Sequence, residues 1–169
     1  MIDTNEITPV YADDGKCIGQ VMPTAKPEAL GYGIQDWSHD KLPLAIVSAY
    51  TADCTEFENR QKTVELLSRF AGCGIAFGIV QGCYKGQREQ SVLVELRDAL
   101  DWQRVLQAAA AFKQESVLYI DSDRIASLYY VDPFRESQRL GKLVPVSAQQ
   151  AERLGNWTRT SNGQYYAVL

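Results

Sequence analysis

Between residues 44 and 131 short apolar runs and amphipathic stretches alternate in the order strand, helix, strand, strand, helix, strand. Few folds accept that order. Leu44-Ala45-Ile46-Val47-Ser48-Ala49-Tyr50, bounded by Pro43 and Asp53, predicts a buried strand. Thr55 is a cap for a helix over about 56–71, with Phe57, Val64, Leu67 and Ala71 on one face and Gly72 as its stop. Residues 75–82 and 91–96 predict two strands joined by the polar loop Lys85-Gly86-Gln87-Arg88. Asp98 caps a second helix over about 99–113, striped by Trp102, Val105, Leu106, Ala109 and Phe112. Residues 116–120 and 125–131 follow as strands around the turn Asp121-Ser122-Asp123. The fold expected is α/β, an α+β sandwich of the ferredoxin-like βαββαβ kind, with an antiparallel sheet and two helices on one face. The bare face then needs a cover, either a partner subunit or the terminal segments.

The flanks are less regular. Residues 1–42 form an N-terminal extension rich in Gly, Pro, Asp and Lys, with one hairpin signal at Asp13-Asp14-Gly15 and a docking residue in Trp37. Residues 43–169 make a single domain. After Asp132-Pro133 comes a polar connection, then a capping-box start at Ser147-Ala148-Gln149-Gln150 for a short helix ending near Gly155. Ser161-Asn162-Gly163 marks a C-terminal hairpin.

At 169 residues the chain is long enough for a real core. A net charge of -4 argues against nucleic-acid binding through a broad basic face. It is also too small, with no long acidic run, for a mimic of DNA. No window approaches the roughly 20 apolar residues of a membrane span, and the polar, acidic start lacks the look of a secretory signal. The four cysteines, 17, 54, 73 and 83, show no metal-like spacing. A cytoplasmic protein with reduced thiols, no membrane partner and no nucleic-acid partner is expected.

Reagents for catalysis are sparse. There is one histidine, His39, in the extension, and no phosphate loop. Asp121 and Asp123 suit a turn better than a metal site, so no metal ligand is assigned. Cys83 has no evident base to activate it. Tyr84 and Glu89 stand on either side of a strand-to-strand loop and are the candidate catalytic pair. Gln114 and Glu115 sit at the corner between the second helix and the fourth strand. Ser48 and Tyr50 close the first strand. Each has a plain alternative: an edge-strand glutamate, a loop tyrosine, a polar corner, a packed core tyrosine.

Taken in order, Val47-Ser48-Ala49-Tyr50, the helix after Cys54, Gly82-Cys83-Tyr84, Glu89-Gln90-Ser91-Val92-Leu93-Val94 and Gln114-Glu115-Ser116-Val117-Leu118 resemble the phage-encoded S-adenosylmethionine (SAM) lyases, long called SAM hydrolases. The resemblance covers residues 44–131; the extension and the C-terminal hairpin have no matched counterpart, and the loop between Tyr84 and Glu89 is shorter than in the best-known member. It implies a homotrimer similar to PII-like proteins, with active sites between subunits and no cofactor. The reaction implied cleaves SAM to methylthioadenosine and homoserine lactone, a phage counter-defence against host restriction and modification. Glu89 matches the family's essential carboxylate, and Tyr84 its tyrosine after Gly-Cys. Gln114, Glu115, Ser48 and Tyr50 are then substrate-binding candidates, and backbone N–H groups before the first helix are candidates for the substrate carboxylate. Two rivals remain: a hydrolase giving homoserine, and a PII-like protein that binds SAM or an adenine nucleotide without turnover.

Overall fold

A computed structural model describes residues 42–169 and, at the level of backbone pairing, residues 8–11 and 17–21. Trp37 and His39 lie outside these described residues. Strands β1 (Thr8–Tyr11) and β2 (Cys17–Val21) pair antiparallel, as the hairpin signal between them predicts.

Eight further strands form the body: β3 (Leu44–Val47), β4 (Phe77–Tyr84), β5 (Gln87–Glu95), β6 (Ser116–Ile120), β7 (Ile125–Tyr130), β8 (Gln138–Val146), β9 (Trp157–Arg159) and β10 (Tyr165–Val168). Helices α1 (Glu56–Gly72), α2 (Ala99–Ala111) and α3 (Ala148–Leu154) complete the described elements. The strands close into a barrel in the order β10-β8-β7-β6-β3-β5-β4-β9, with β9 returning to β10, and every pairing is antiparallel.

This closed barrel corrects the expectation of a ferredoxin-like βαββαβ sandwich similar to PII-like proteins. The elements do arrive in the expected order along the chain. The sheet, however, does not stop at β7. It continues into β8, β10 and β9 and returns to β4. The face that needed a cover is the inside of the barrel, and the C-terminal strands supply the missing wall. The strand that hides this from the sequence is β8. It carries Gln138, Arg139 and Lys142, is interrupted by Gly141 and Pro145, and is mostly solvent-facing, so it reads as a polar connection. A shift of register against β7 at Ala126/Ser127 further blurs its alternation.

Local chemistry explains the remaining elements. Thr55 caps α1 through a full capping box: its hydroxyl accepts from Glu58 N–H, and the Glu58 carboxylate accepts from Thr55 N–H at 2.7 Å. The buried face of α1 is Thr63, Leu66, Leu67, Phe70 and Ala71. Phe57, expected on that face, is 69% exposed, because the helix turns its first residues outward. Helices α1 and α2 cover the outer face of β3, β4, β5 and β6, where Val47, Val92, Val94, Leu67, Phe70 and Val105 share one apolar cluster. Alternate residues of the same strands point inward. Leu44, Val80, Leu93, Ile120, Leu143 and Tyr166 plug the barrel interior. Helix α3 packs Ala151 against Val146, Trp157 and Ala167 on the opposite wall.

One ion pair holds the start of α2. Asp101 is fully buried; it accepts from Arg97 N–H at 3.0 Å and from Arg97 Nε–H at 2.8 Å. Burial pushes its carboxyl up, but the bonds from the Arg97 side chain and backbone outweigh that and hold it below the ordinary range. The folded chain therefore binds this proton less readily than the unfolded chain. The stabilisation is complete above the unfolded value of about 3.9 and is lost as pH falls through the lower folded value. Asp101→Asn is expected to cost about 1–3 kcal/mol at pH 7, with Arg97 half-exposed and able to rehydrate. Urea titrations of both proteins should show that gap narrowing as the buffer is taken below pH 4.

Candidate active site

The apolar plug fills only part of the barrel. Above it a cavity of about 630 Å³ opens at the end where β4 and β7 finish and β5 and β6 begin. Ile46, Leu118, Leu143, Tyr166 and Val168 belong to both the plug and the cavity lining, so they form its floor. An eight-stranded barrel has room for one small ligand at such a mouth, and this volume suits one of drug-like size.

The hairpin of β4 and β5 builds one side of the rim. Its turn is two residues, Lys85 (φ 49) and Gly86 (φ 77), both in the left-handed region that a tight hairpin of this hand requires. The expected four-residue loop is thus shorter, and Gln87 and Arg88 already belong to β5. Tyr84 lies opposite Gln87, and Glu89 lies opposite Gly82. Period-two alternation sends Glu89 and Ser91 into the cavity and Val92 and Val94 out to the helices. The α3–β9 corner braces the hairpin tip. Lys85 N–H donates to Asn156 Oδ1 at 2.9 Å, Gly86 N–H donates to the Gly155 carbonyl at 3.2 Å, and Arg88 pairs with Glu152 at 2.9 Å.

Glu89 meets solvent through the mouth, but the walls around it thin its hydration. That partial burial lifts its carboxyl above the ordinary range. Among the described residues no hydrogen bond or ion pair reaches its carboxylate. Tyr84 also lines the cavity but stands out from the rim, 61% exposed, with Lys85 Nζ 5.1 Å from its ring centroid.

The other side of the mouth is the α2–β6 corner and the connection from β7 to β8. Gln114 lines the cavity and spends its amide on the frame: Nε2 donates to the Tyr50 carbonyl at 2.9 Å and to the Phe112 carbonyl at 3.2 Å. Glu115 lines it too, and its carboxylate pairs with Arg135. The Arg135 guanidinium lies 3.6 Å from the Tyr130 ring centroid. Ser48 lines the cavity as a buried tie, its hydroxyl donating to the Gln90 carbonyl at 3.2 Å and accepting from Tyr50 N–H at 3.0 Å.

Five of the six candidates, Glu89, Tyr84, Glu115, Gln114 and Ser48, therefore line one cavity. Tyr50 is not part of the lining; its hydroxyl donates to Glu56 Oε1 at 2.9 Å, and burial, then Glu56, raises its pKa. The start of α1 is not part of it either, and its Thr55 and Glu58 cap one another. Sequence reasoning missed Ser91, Tyr130, Arg135 and Thr158. Alternation along β7 was a usable signal for Tyr130, which shares a face with Leu128; Arg135 sits in the connection and gives no periodic signal. Cys54, Cys73 and Cys83 are free thiols, and among the described residues no group of three or more His, Cys, Asp and Glu stands together. No described helix is long and apolar enough to cross a membrane.

A barrel plugged at one end and open at the other into a ligand-sized mouth, lined by two carboxylates, tyrosines and one guanidinium, defines a small-molecule site with charges on its rim. A family model described as the S-adenosylmethionine lyase family matches residues 45–169. The chain belongs to that family and is an S-adenosylmethionine lyase. The match runs through the C-terminal hairpin, beyond the stretch whose resemblance is legible by eye. No curated protein matches the chain.

Proposed function

We propose that this enzyme cleaves SAM to 5′-methylthioadenosine and L-homoserine lactone, with the substrate carboxylate as nucleophile. SAM carries its own leaving group, a sulfonium that departs as a neutral thioether. The carboxylate oxygen attacks the γ carbon, the carbon–sulfur bond breaks, and its electron pair stays on sulfur. No proton is transferred in that step. The enzyme's task is to fold the methionine tail so that oxygen, carbon and sulfur line up, which supplies about 7–11 kcal/mol in favourable intramolecular cases.

The observation that carries this reading is the convergence of Glu89 and Tyr84 with Glu115, Gln114 and Ser48 on one cavity. Glu89, without a protein cation to neutralise it, holds the ammonium or sulfonium. Tyr84 packs on the adenosyl group. Glu115 accepts from the ribose hydroxyls. Gln114 and Ser48 fix the wall through their bonds to Tyr50 and Gln90. Charge is neutralised as the lactone forms, so a mouth drier than bulk water favours the reaction. The family resemblance extends the reading to a cytoplasmic homotrimer that depletes SAM as a phage counter-defence; it also suggests that a neighbouring subunit completes each mouth.

Mass spectrometry of a SAM digest tests the reaction. Methylthioadenosine and homoserine lactone are expected as first-formed products, and in oxygen-18 water the lactone should start unlabelled. Label in the first-formed product would instead establish direct attack by water and a hydrolase. Intact SAM would remove the proposed reaction.

A further inference from the structure

We infer that Arg135 recognises the carboxylate of the substrate. This rests on the proposed seating of SAM in the barrel mouth, and goes on to say which residue distinguishes SAM from adenosyl cations that lack a carboxylate.

Charge at the mouth is the first observation. Among the described residues lining the cavity, the acidic ones are Glu89 and Glu115 and the only lysine or arginine is Arg135. SAM presents the complement: two cations, sulfonium and ammonium, and one carboxylate. Pairing the lone guanidinium with the lone carboxylate leaves Glu89 to the cations, while Glu115 stays bonded to Arg135 and faces the ribose. Among the described residues of the lining, no other side chain offers that carboxylate a positive charge.

Geometry is the second. Arg135 is set before substrate arrives, held against the Tyr130 ring and paired through Nη1 with Glu115. A guanidinium has five N–H donors in a planar fork, so the bond to Glu115 leaves capacity for a second carboxylate. Turns hold the connection that carries it: Arg135 N–H donates to the Asp132 carbonyl at 3.1 Å, and Phe134 N–H to Asp132 Oδ1 at 3.0 Å. Val131 N–H donates to the Glu115 carbonyl at 2.9 Å, which ties the connection to the α2–β6 corner. The rival anchor, the start of α1, is capped internally and does not line the cavity. Arg135 keeps one carboxylate oxygen in place and leaves the other free to attack.

The test uses the full chain and two uncleavable thioethers, S-adenosylhomocysteine and its decarboxylated counterpart. Wild type should bind the carboxylated thioether more tightly by calorimetry, and Arg135→Gln should bind both alike. For SAM the variant should raise KM about tenfold to a hundredfold with a much smaller change in kcat. Arg135→Lys should restore only part of the preference, because a lysine keeps the charge without the flat fork. The affinity ratio is read within one protein preparation, so partial loss of folded protein does not alter it. A variant that keeps the wild-type preference, or a wild type with none, overturns the assignment. Failure of wild type to cleave SAM at all counts instead against the reaction proposed above.

Discussion

Glu89→Gln is expected to lower SAM turnover at least about a hundredfold while leaving the fold intact, the usual scale for losing a positioned charged group in a transition state. The carboxylate lines the mouth with no partner among the described residues, so its negative charge is available to the substrate. Its raised pKa fixes the sign of two further effects. The proposed role of Glu89 requires the anion, so kcat/KM should rise with pH through a value above the ordinary glutamate range of about 4.3, and a stopped assay across pH 4–8 in the wild type should show that rise. Stability runs the other way. A carboxyl whose folded pKa lies above its unfolded value contributes stability that is present at low pH and lost as pH rises through the folded value. Glutamine at 89 should therefore leave the protein as stable as wild type or more so at pH 7. Near-normal turnover by that variant would remove Glu89 from the mechanism.

Gly141→Ala is expected to destabilise the barrel by more than about 1–3 kcal/mol, the ordinary cost of backbone strain at one residue. Gly141 holds φ 145, a conformation that side-chain-bearing residues rarely adopt. A Cβ there would stand 2.4 Å from the Leu169 carbonyl oxygen and 3.2 Å from Val168 Cγ1. The first of these is backbone and cannot swing away, since Lys142 N–H donates to that same carbonyl at 2.8 Å and Leu169 N–H donates to Lys142 O at 2.9 Å. The alanine must displace Leu169 and its bonds to Lys142, at the end of the β8–β10 ladder that forms one of the seams closing the barrel. Thermal melts should register the loss. SAM cleavage should fall with it, because the floor of the mouth includes Tyr166 and Val168 of β10. An unchanged melting temperature would mean that the chain end yields more easily than its hydrogen bonds indicate.

The sequence makes some of this legible and conceals the rest for identifiable reasons. Capping chemistry is local, so Thr55, Asp98 and Ser147 each mark a helix start that the structure reproduces. The Ser161-Asn162-Gly163 signal likewise finds β9 paired with β10. Barrel closure is not local. It depends on β9 meeting β4 through Gln81, Gly82 and Cys83, far away in the chain. It also depends on β8, whose Gly141 and Pro145 mark a bulge and a strand position that look like a break. The site follows the same division. Tyr84 and Glu89 are close in sequence and fall on one hairpin, whereas Arg135 and Tyr130 share a mouth with them only because the closed sheet carries the β6–β7 hairpin round to the hairpin of β4 and β5. Tyr50 does not line the cavity, because the chain beyond β3 turns its hydroxyl toward Glu56.

The apolar plug beneath the mouth has a consequence for the catalytic cycle. With Leu44, Val80, Leu93 and Ile120 filling the interior, the described barrel has one doorway, and nothing can drain out through the bottom. With SAM seated in the mouth as proposed, the reactant and both proposed fragments would share that passage, and the bulkier adenosyl fragment would have to back out past the rim before the next round.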